Sequence, residues 1–248
     1  MRYVARLEYD GTAFSGFQVQ STGRTVQGEL EASLARLSGG RHIRVAGAGR
    51  TDAGVHASGQ VIAFSWPGRA SRRELERALD ASLPPDVAVG RLRRAAQDFV
   101  PRRAALRREY RYTVWNGPRS PLRERYALGV REPLDVAAMA SAAGALVGRR
   151  DFSALGGWHR QPIRTLHRVR VRKSGRTVII DVMGDAFLRQ MVRSIVAALL
   201  RVGRGEATAE DLAIALRSPG RAFAGAIAPA KGLCLRNVRF GPPQTTGW

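Results

Sequence analysis

Residues 45–64 read VAGAGRTDAGVHASGQVIAF, in which two apolar, β-favouring runs (Val45-Ala46 and Val61 to Phe64) flank a segment with glycines at 47, 49, 54 and 59. Glycine recurs where a backbone takes positive φ or comes close to a ligand, so this segment is expected to form a tight, shaped loop between two strands. At its centre stand Arg50, Thr51 and Asp52, a carboxylate beside a guanidinium with small neighbours. An ionised aspartate held in a glycine-rich turn can act as nucleophile or base. An aspartate close to glycine equally makes a turn and caps its own backbone. Residue types alone leave both readings open.

On either side of the loop the hydrophobic pattern alternates between the two regular periods. Tyr3 to Tyr9 sets Tyr3, Ala5, Leu7 and Tyr9 against Arg6 and Glu8, a half-buried strand. A Gly-rich loop from Gly11 to Gly23 follows. Thr25 is placed to cap a helix with Val26, Leu30, Leu34 and Leu37 on one face, ending at Gly39-Gly40. Strands are expected around Ile43 to Ala46 and from Gln60 to Ser65. Ser71 and Glu74 form a capping box for a helix carrying Leu75, Ala78 and Leu79, which Leu83-Pro84-Pro85-Asp86 breaks. Val87 to Leu92 alternates again. The order β-α-β-β-α-β is the split βαβ unit of ferredoxin-like folds.

The second half repeats that order with unrelated sequence. Arg107 to Trp115 reads as a strand and Leu134 to Leu146 as an Ala-rich helix. Arg164 to Lys173 and Arg176 to Met183 form a hairpin around Ser174-Gly175. A long helix is expected over Ala186 to Val202, with Leu188, Met191, Ile195 and Leu199 on its buried stripe. A short capped helix from Thr208 to Arg217 precedes a last strand, Leu233 to Phe240. The expected fold class is α+β: two ferredoxin-like units joined side by side into one antiparallel sheet, helices on one face, and a central cleft. The boundary is expected near Phe99-Val100-Pro101, with the Asp52 loop in residues 1–100 and the second unit in residues 101–248.

At 248 residues with 44% hydrophobic content, the chain has the composition of a folded protein with ample core. No apolar run approaches the roughly 20 residues of a membrane span, and the first residues read directly as a strand with no signal peptide. The single cysteine, Cys234, excludes an internal disulfide and fits a reducing cytoplasm. His42, His56, His159 and His167 lack metal-ligand spacing. Charge is the strongest compositional signal: formally +21, with lysine only at 173 and 231. Guanidinium groups bind phosphate bidentately and stack on bases, so nucleic acid is the expected partner. A GC-rich genome would explain the Arg-to-Lys ratio but not the net charge. No basic amphipathic helix points to a membrane surface.

GRTDAGVHA closely resembles the signature of the TruA-type tRNA pseudouridine synthases. YDGTAFSGFQVQ with TVQGELEASL resembles the family's YDG…GWQ…TVQ opening. RREYRYTVWN, RDFSAL, AFLRQMVRSIVAALLRVG and the Lys231-Gly232-Leu233 turn follow in family order. The resemblance implies isomerisation of uridine to pseudouridine in tRNA, at uridines 38 to 40 of the anticodon arm, by a homodimer with a tRNA spanning both subunits. That reaction breaks the bond from uracil N1 to C1′ and joins C1′ to C5, and needs neither metal nor redox cofactor. Gly47-Ala48-Gly49 accordingly continues into no nucleotide-binding motif.

By the same resemblance, Asp52 is the catalytic carboxylate and Arg193 the arginine of the M-V-R motif that keeps it ionised. Tyr110, first tyrosine of the R-x-Y-x-Y segment, is the stacking face for an extruded uracil, and Leu233 packs on the other side of the base. Arg50 is an RNA contact that replaces or steers the flipped nucleotide. Each has a plainer alternative. Arg193 could meet solvent or phosphate beside Arg189, Tyr110 could be core like Tyr112, and His56 could be either an acid-base group or a hydrogen-bonded loop histidine. The chain departs from the family pattern at Phe17, where tryptophan is usual, at Lys231, where an acid is frequent, and at Cys234, where an aromatic is frequent. The competing function is a non-catalytic RNA-binding protein on the same scaffold, since ferredoxin-like units serve widely as RNA platforms. A pseudouridine synthase with a different RNA target is the third reading.

Overall fold

The computed structural model describes residues 1–217, 223 and 225–241. The chain divides into two compact units. The first comprises Met1–Leu106 and the chain from Leu235; the second is Arg107–Cys234.

The first unit runs β1 (Arg2–Tyr9), α1 (Val26–Leu37), β2 (Ala46–Gly47), β3 (His56–Ser65), α2 (Arg72–Ser82), β4 (Val87–Arg94) and a short α3 (Pro101–Ala104). Its strands lie in the order β4-β1-β3, with β2 on the far side of β3, all antiparallel. This is the split βαβ arrangement, because β3 lies between the two strands that α1 connects. Both predicted helix starts have their caps. Thr25 accepts the Gly28 N–H at 3.2 Å. Ser71 and Glu74 form the reciprocal box, with the Glu74 N–H on Ser71 Oγ at 3.3 Å and the Ser71 N–H on Glu74 Oε2 at 2.8 Å. Tyr3, Leu7, Leu30, Leu34, Ile62, Phe64, Leu75 and Leu79 are buried to 1% exposure or less and form the core.

The strands of this unit depart from expectation in three places. The strand expected over Ile43 to Ala46 shrinks to Ala46–Gly47. The Val45 N–H donates to Glu31 Oε1 (2.9 Å) and its carbonyl accepts from Gln27 Nε2 (3.2 Å), so side chains of α1 replace the ladder there. β3 begins four residues early, at His56 rather than Gln60. A bulge lets Tyr9 pair with Ala57 although Leu7 pairs with Gln60, which carries pairing up to the glycine-rich loop. A second bulge, on β4, sets Arg91 at φ +55. β4 is an edge strand, and α2 covers its outward donors: Asp80 Oδ1 takes the Val89 N–H and Glu76 Oε1 the Arg91 N–H, both at 2.9 Å. An edge whose donors are occupied is a poor template for another chain.

The second unit contains β5 (Ala105–Asn116), β6 (Leu128–Val130), α4 (Val136–Ala145), β7 (Gly148–Asp151), β8 (Ile163–Ser174), β9 (Thr177–Gly184), α5 (Met191–Gly203) and α6 (Ala209–Arg217). Its strands follow the order β5-β9-β8-β7, antiparallel throughout, with β6 parallel on β5. The hairpin turns where expected, with Ser174 paired to Thr177 and Gly175 at φ +55. Helix α5 starts at Met191, five residues after the expected Ala186. Gln190 sits in the left-handed region at φ +62, which ends helical geometry there. Leu188 remains buried although it lies outside the helix, because a Cβ at Gly156 would stand only 2.8 Å from its side chain. Periodicity across residues 188–199 therefore extends further than the helix. The last strand, β10 (Leu233–Phe240), was placed in the second unit by element order. From Leu235 it groups instead with the first, as a neighbour of β3, so close that a Cβ at Gly59 would meet the Arg236 carbonyl at 2.1 Å. The expected end of the second unit, at residue 248, lies outside the described residues. No helix among the described residues is long and apolar enough to cross a membrane.

The Glu74 carboxyl is held below its ordinary range by the Ser71 backbone and hydroxyl, so the capping box should stabilise most above the usual glutamate pKa and fade as pH falls through the lowered value. Ser71→Ala should therefore lower the urea midpoint at neutral pH, with a smaller difference from the parent in acid. An equal difference at both pH values, followed by circular dichroism, would show that the Glu74 charge plays no part.

Candidate active site

In the first unit the glycine-rich loop is fastened to the N-terminal segment Tyr9–Phe17 mainly through backbone groups. The Phe17 N–H donates to the Thr51 carbonyl (3.1 Å) and the Gly54 N–H to the Phe14 carbonyl (3.2 Å). The Thr51 hydroxyl and Tyr9 Oη are 2.8 Å apart, both buried. The Val55 N–H donates to the Asp52 carbonyl at 3.2 Å, closing a four-residue turn with Gly54 at φ +75 in its third position, where a type II turn requires positive φ. Gly49 is clamped by the fully buried Gln60, whose amide accepts its N–H (3.2 Å) and donates to its carbonyl (2.9 Å). The backbone is thus pinned on both sides of the half-buried Asp52.

Two glycines of the YDG…GFQ segment permit this contact. Gly16 has φ +109, and a Cβ there would lie 2.9 Å from the Thr51 carbonyl oxygen. A Cβ at Gly11 would overlap the Val55 carbonyl at 2.1 Å. Phe17, the departure from the usual tryptophan, is buried. Its ring packs over Gly47, where a Cβ would come within 2.5 Å, and tilts against Tyr9 at 6.4 Å between centroids. His56 is buried as well. Its Nδ1 accepts the Gly11 N–H (3.0 Å) and stands 3.1 Å from Asp10 Oδ1, so it joins the YDG turn to the end of the Asp52 loop. These contacts are those of a hydrogen-bonded loop histidine.

Arg50 is exposed. Partial desolvation, and after it the like charge of Arg102 on α3, holds its proton affinity below the ordinary value. Like charge of this kind favours an anion nearby. Arg24 was not singled out from sequence, yet it organises the same region. It binds Asp86 through two bonds (2.6 and 2.9 Å), meets Glu29 at 2.5 Å, and lies 4.2 Å over the Phe14 ring. Its hydrogen bond to Asp86 is the main reason its pKa is raised further. Arg24 carried no local signal beyond its residue type, since Asp86 lies 62 positions along the chain.

In the second unit, α5 is apolar almost all round, and Arg193 is its only charged residue before Arg201. Arg193 Nε donates to the Ala228 carbonyl (2.7 Å) and its own carbonyl accepts the Ala228 N–H (3.2 Å), which fixes the arginine against the segment leading into β10. Arg189 lies outside the helix, before the left-handed Gln190. Tyr110 and Tyr112 both point into the unit from β5. Tyr112 is fully buried, its hydroxyl donates to the Pro229 carbonyl (2.8 Å), and its ring fills the space a Cβ at Gly232 would need. Burial pushes the Tyr112 pKa up, and the Arg193 charge partly opposes it. Tyr110 keeps 8% exposure and meets Phe187 edge to face, 5.1 Å between centroids. Leu233 is buried at the first position of β10, next to the turn that holds the Tyr112 ring. Lys231 of that turn pairs with Glu124.

Asp52 and Arg50 therefore stand on one loop of the first unit, and Tyr110, Arg193 and Leu233 around one strand and one turn of the second. Among the described residues no three His, Cys, Asp or Glu side chains are grouped to hold a metal ion.

A tRNA pseudouridine synthase family model matches residues 5–99 and 142–241, which include Arg50, Asp52, Arg193 and Leu233, while Tyr110 lies between the two matched stretches. The tRNA pseudouridine synthase A of Myxococcus xanthus is 45% identical over 252 residues, covering 99% of this chain and 95% of that protein. Its namesake in Geobacter sulfurreducens is 44% identical, covering 94% and 97%, and that of Shouchella clausii is 40% identical, covering 98% and 94%. One chain of a Cbf5-Nop10-Gar1 complex overlaps 94% of this chain and 58% of that one, at TM-score 0.37 and 11% identity, too slight a likeness to carry an argument. With a motif-bearing loop pinned at Asp52, two ferredoxin-like units and full-length relatives above 40% identity, the chain belongs to the tRNA pseudouridine synthase family of isomerases.

Proposed function

We propose that the protein isomerises uridine to pseudouridine in the anticodon arm of tRNA, at uridines 38 to 40, with Asp52 as the reacting carboxylate. The observation that carries this reading is the immobilised turn at Asp52, gripped through the Thr51 and Phe14 carbonyls and the Gln60 amide. A carboxylate in an RNA-binding groove repels phosphate, so a protein that only bound RNA would gain nothing from fixing one there. In the reaction the N1–C1′ bond breaks, the uracil turns, C1′ joins C5, and the C5 hydrogen leaves to solvent.

In this scheme Asp52 supplies the negative charge at the sugar and base, and the Arg193 guanidinium favours its ionised form. Tyr110 offers its ring to the detached uracil while Leu233 closes the opposite side, which keeps the base from escaping. Arg50, beside Arg102, takes the phosphate of the displaced nucleotide. The net charge of +21 supports a polyanionic substrate. The family resemblance supports a homodimer that works in the cytoplasm on a tRNA spanning both subunits. The non-catalytic RNA-binding protein is the other outcome of the tests below.

A tRNA carrying tritium at uridine C5 should release label on addition of the protein, without ATP, metal or nicotinamide. Asp52→Asn keeps the shape of the side chain but not its charge, so it should release none while binding tRNA at least as tightly. Release by Asp52→Asn at the parent's rate would assign catalysis to another residue, and no release by the parent from any tRNA would favour the binding protein.

Arg193→Met should lose most activity while tRNA affinity changes far less, because the guanidinium is assigned to the reacting carboxylate and not to binding. Parent-like label release would remove Arg193 from the role of partner.

Gly16→Ala should separate geometry from binding. A methyl group 2.9 Å from the Thr51 carbonyl, at φ +109, must displace the turn that carries Asp52. Label release should fall at least about tenfold, equivalent to about 1.4 kcal/mol at the transition state, with tRNA affinity little changed. Parent-like kinetics would show that the clamp does not position Asp52.

A further inference from the structure

Trp158 is 93% exposed, whereas tryptophan is among the most buried side chains on average, so an indole left in water calls for an explanation. It lies in the connection between β7 and β8, where residues 156–162 read GGWHRQP and contain no acid. The chain around it is held in place. The Gly157 N–H donates to the Arg189 carbonyl (2.8 Å), and Gly156 packs so closely on Leu188 that a Cβ would stand 2.8 Å away. His159 Nδ1 lies within hydrogen-bond distance of the Gln161 backbone, at 3.0 Å from its N–H and 2.8 Å from its carbonyl. Beyond it, the Phe152 N–H donates to the Pro162 carbonyl (3.3 Å), and Arg164 Nη1 binds the Gln161 and Ile163 carbonyls at 2.7 Å each.

The surroundings state what such an indole is suited to meet. Arg160 is exposed two residues away, and Arg189 is exposed where its backbone carries the loop. The acids at the ends of the adjoining strands are turned onto the backbone: Asp151 accepts the Ser153 N–H (2.8 Å), and Asp185 the Thr165 and Ala186 N–H groups (3.2 and 2.5 Å). An exposed aromatic face on a segment that carries the exposed Arg160 and is bonded to the backbone of the exposed Arg189 suits an unpaired nucleobase with its phosphates. An apolar protein partner would gain little from the cations.

We infer that Trp158 is a stacking platform for an unpaired base of the RNA substrate, with Arg160 and Arg189 on the adjoining phosphates, apart from the residues assigned to the reacting uridine. The inference rests on the proposed tRNA substrate, and extends the RNA contact to a loop outside the motifs of the Asp52 site.

The test measures tRNA affinity of the full-length protein against salt concentration for the parent, Trp158→Ala, Trp158→Phe and Arg160→Gln. Such an exposed position puts folding at little risk. Trp158→Ala should weaken Kd by roughly 5- to 150-fold, the range that stacking of one base spans, and leave the log–log salt slope unchanged. Trp158→Phe should keep most of the affinity, and Arg160→Gln should reduce the slope by about one. Trp158 fluorescence, taken as the difference between parent and Trp158→Phe, should be quenched by tRNA. Parent-like affinity in Trp158→Ala would overturn the inference. So would a change of oligomeric state in Trp158→Ala by sedimentation, which would assign the indole to a second copy of the chain. Tritium release by the parent, read in parallel, separates the two questions: release with an indifferent Trp158 leaves the function standing without this contact, and no release removes the function itself.

Discussion

The role proposed for Asp52 depends on two chain segments lying backbone against backbone. The Phe17 N–H on the Thr51 carbonyl and the Gly54 N–H on the Phe14 carbonyl bring the N-terminal glycine loop onto the loop of Asp52. Hydrogen bonds between main chains tolerate no side chain between them, so Gly11 and Gly16 are imposed by the contact, and a Cβ at either would meet a carbonyl. The consequence is stiffness. A carboxylate on a free loop would lose its orientation in many conformers, whereas one on a clamped turn meets a bound nucleotide already oriented. His56 and Gln60 extend the clamp inward, each buried and each bound to a backbone amide of the two loops.

The second unit reaches the same end through packing. Helix α5 is nearly encased in apolar contacts, so Arg193 emerges from a support that cannot easily turn. Its bond to Ala228 joins the helix to the segment before β10, and Tyr112 ties that segment to β5 through Pro229. Tyr112 thereby acts as scaffold and Tyr110 as the neighbour with a residual exposed face. Two tyrosines two residues apart on one strand face are separated in role by what their hydroxyls and rings meet.

The charge balance is also an internal arrangement. Many acids are committed to backbone N–H groups or to arginines: Asp80 and Glu76 cover the β4 edge, Asp135 caps α4, Asp86 and Glu29 hold Arg24, and Asp181 pairs with Arg111 and Arg172. With so many carboxylates turned to the fold, the excess of arginine stays toward solvent, as a protein that must draw in a polyanion requires.

Much of this was legible in the chain itself. The periods of 3.6 and 2, the caps at Thr25 and Ser71, and the turn at Gly175 are local, so the element order of both units and the hairpin followed from neighbouring residues alone. Family motifs named Asp52, Arg193, Tyr110, Leu233 and Arg50, which composition could not have chosen among so many arginines. What the sequence could not determine depends on partners distant along the chain. Helix α5 starts late because Gln190 takes a left-handed conformation, while the apolar period continues through Leu188, whose burial comes from Gly156. The strand at Ile43 is lost because Glu31 and Gln27 take up the Val45 backbone. β10 begins in the second unit at Leu233 and groups with the first from Leu235, a division inside one strand that element order alone does not give. The roles of Arg24, Gln60 and His56 likewise came into being only when Asp86, Gly49 and Gly11, 62, 11 and 45 positions away, were brought to about 3 Å, the usual separation of a hydrogen bond.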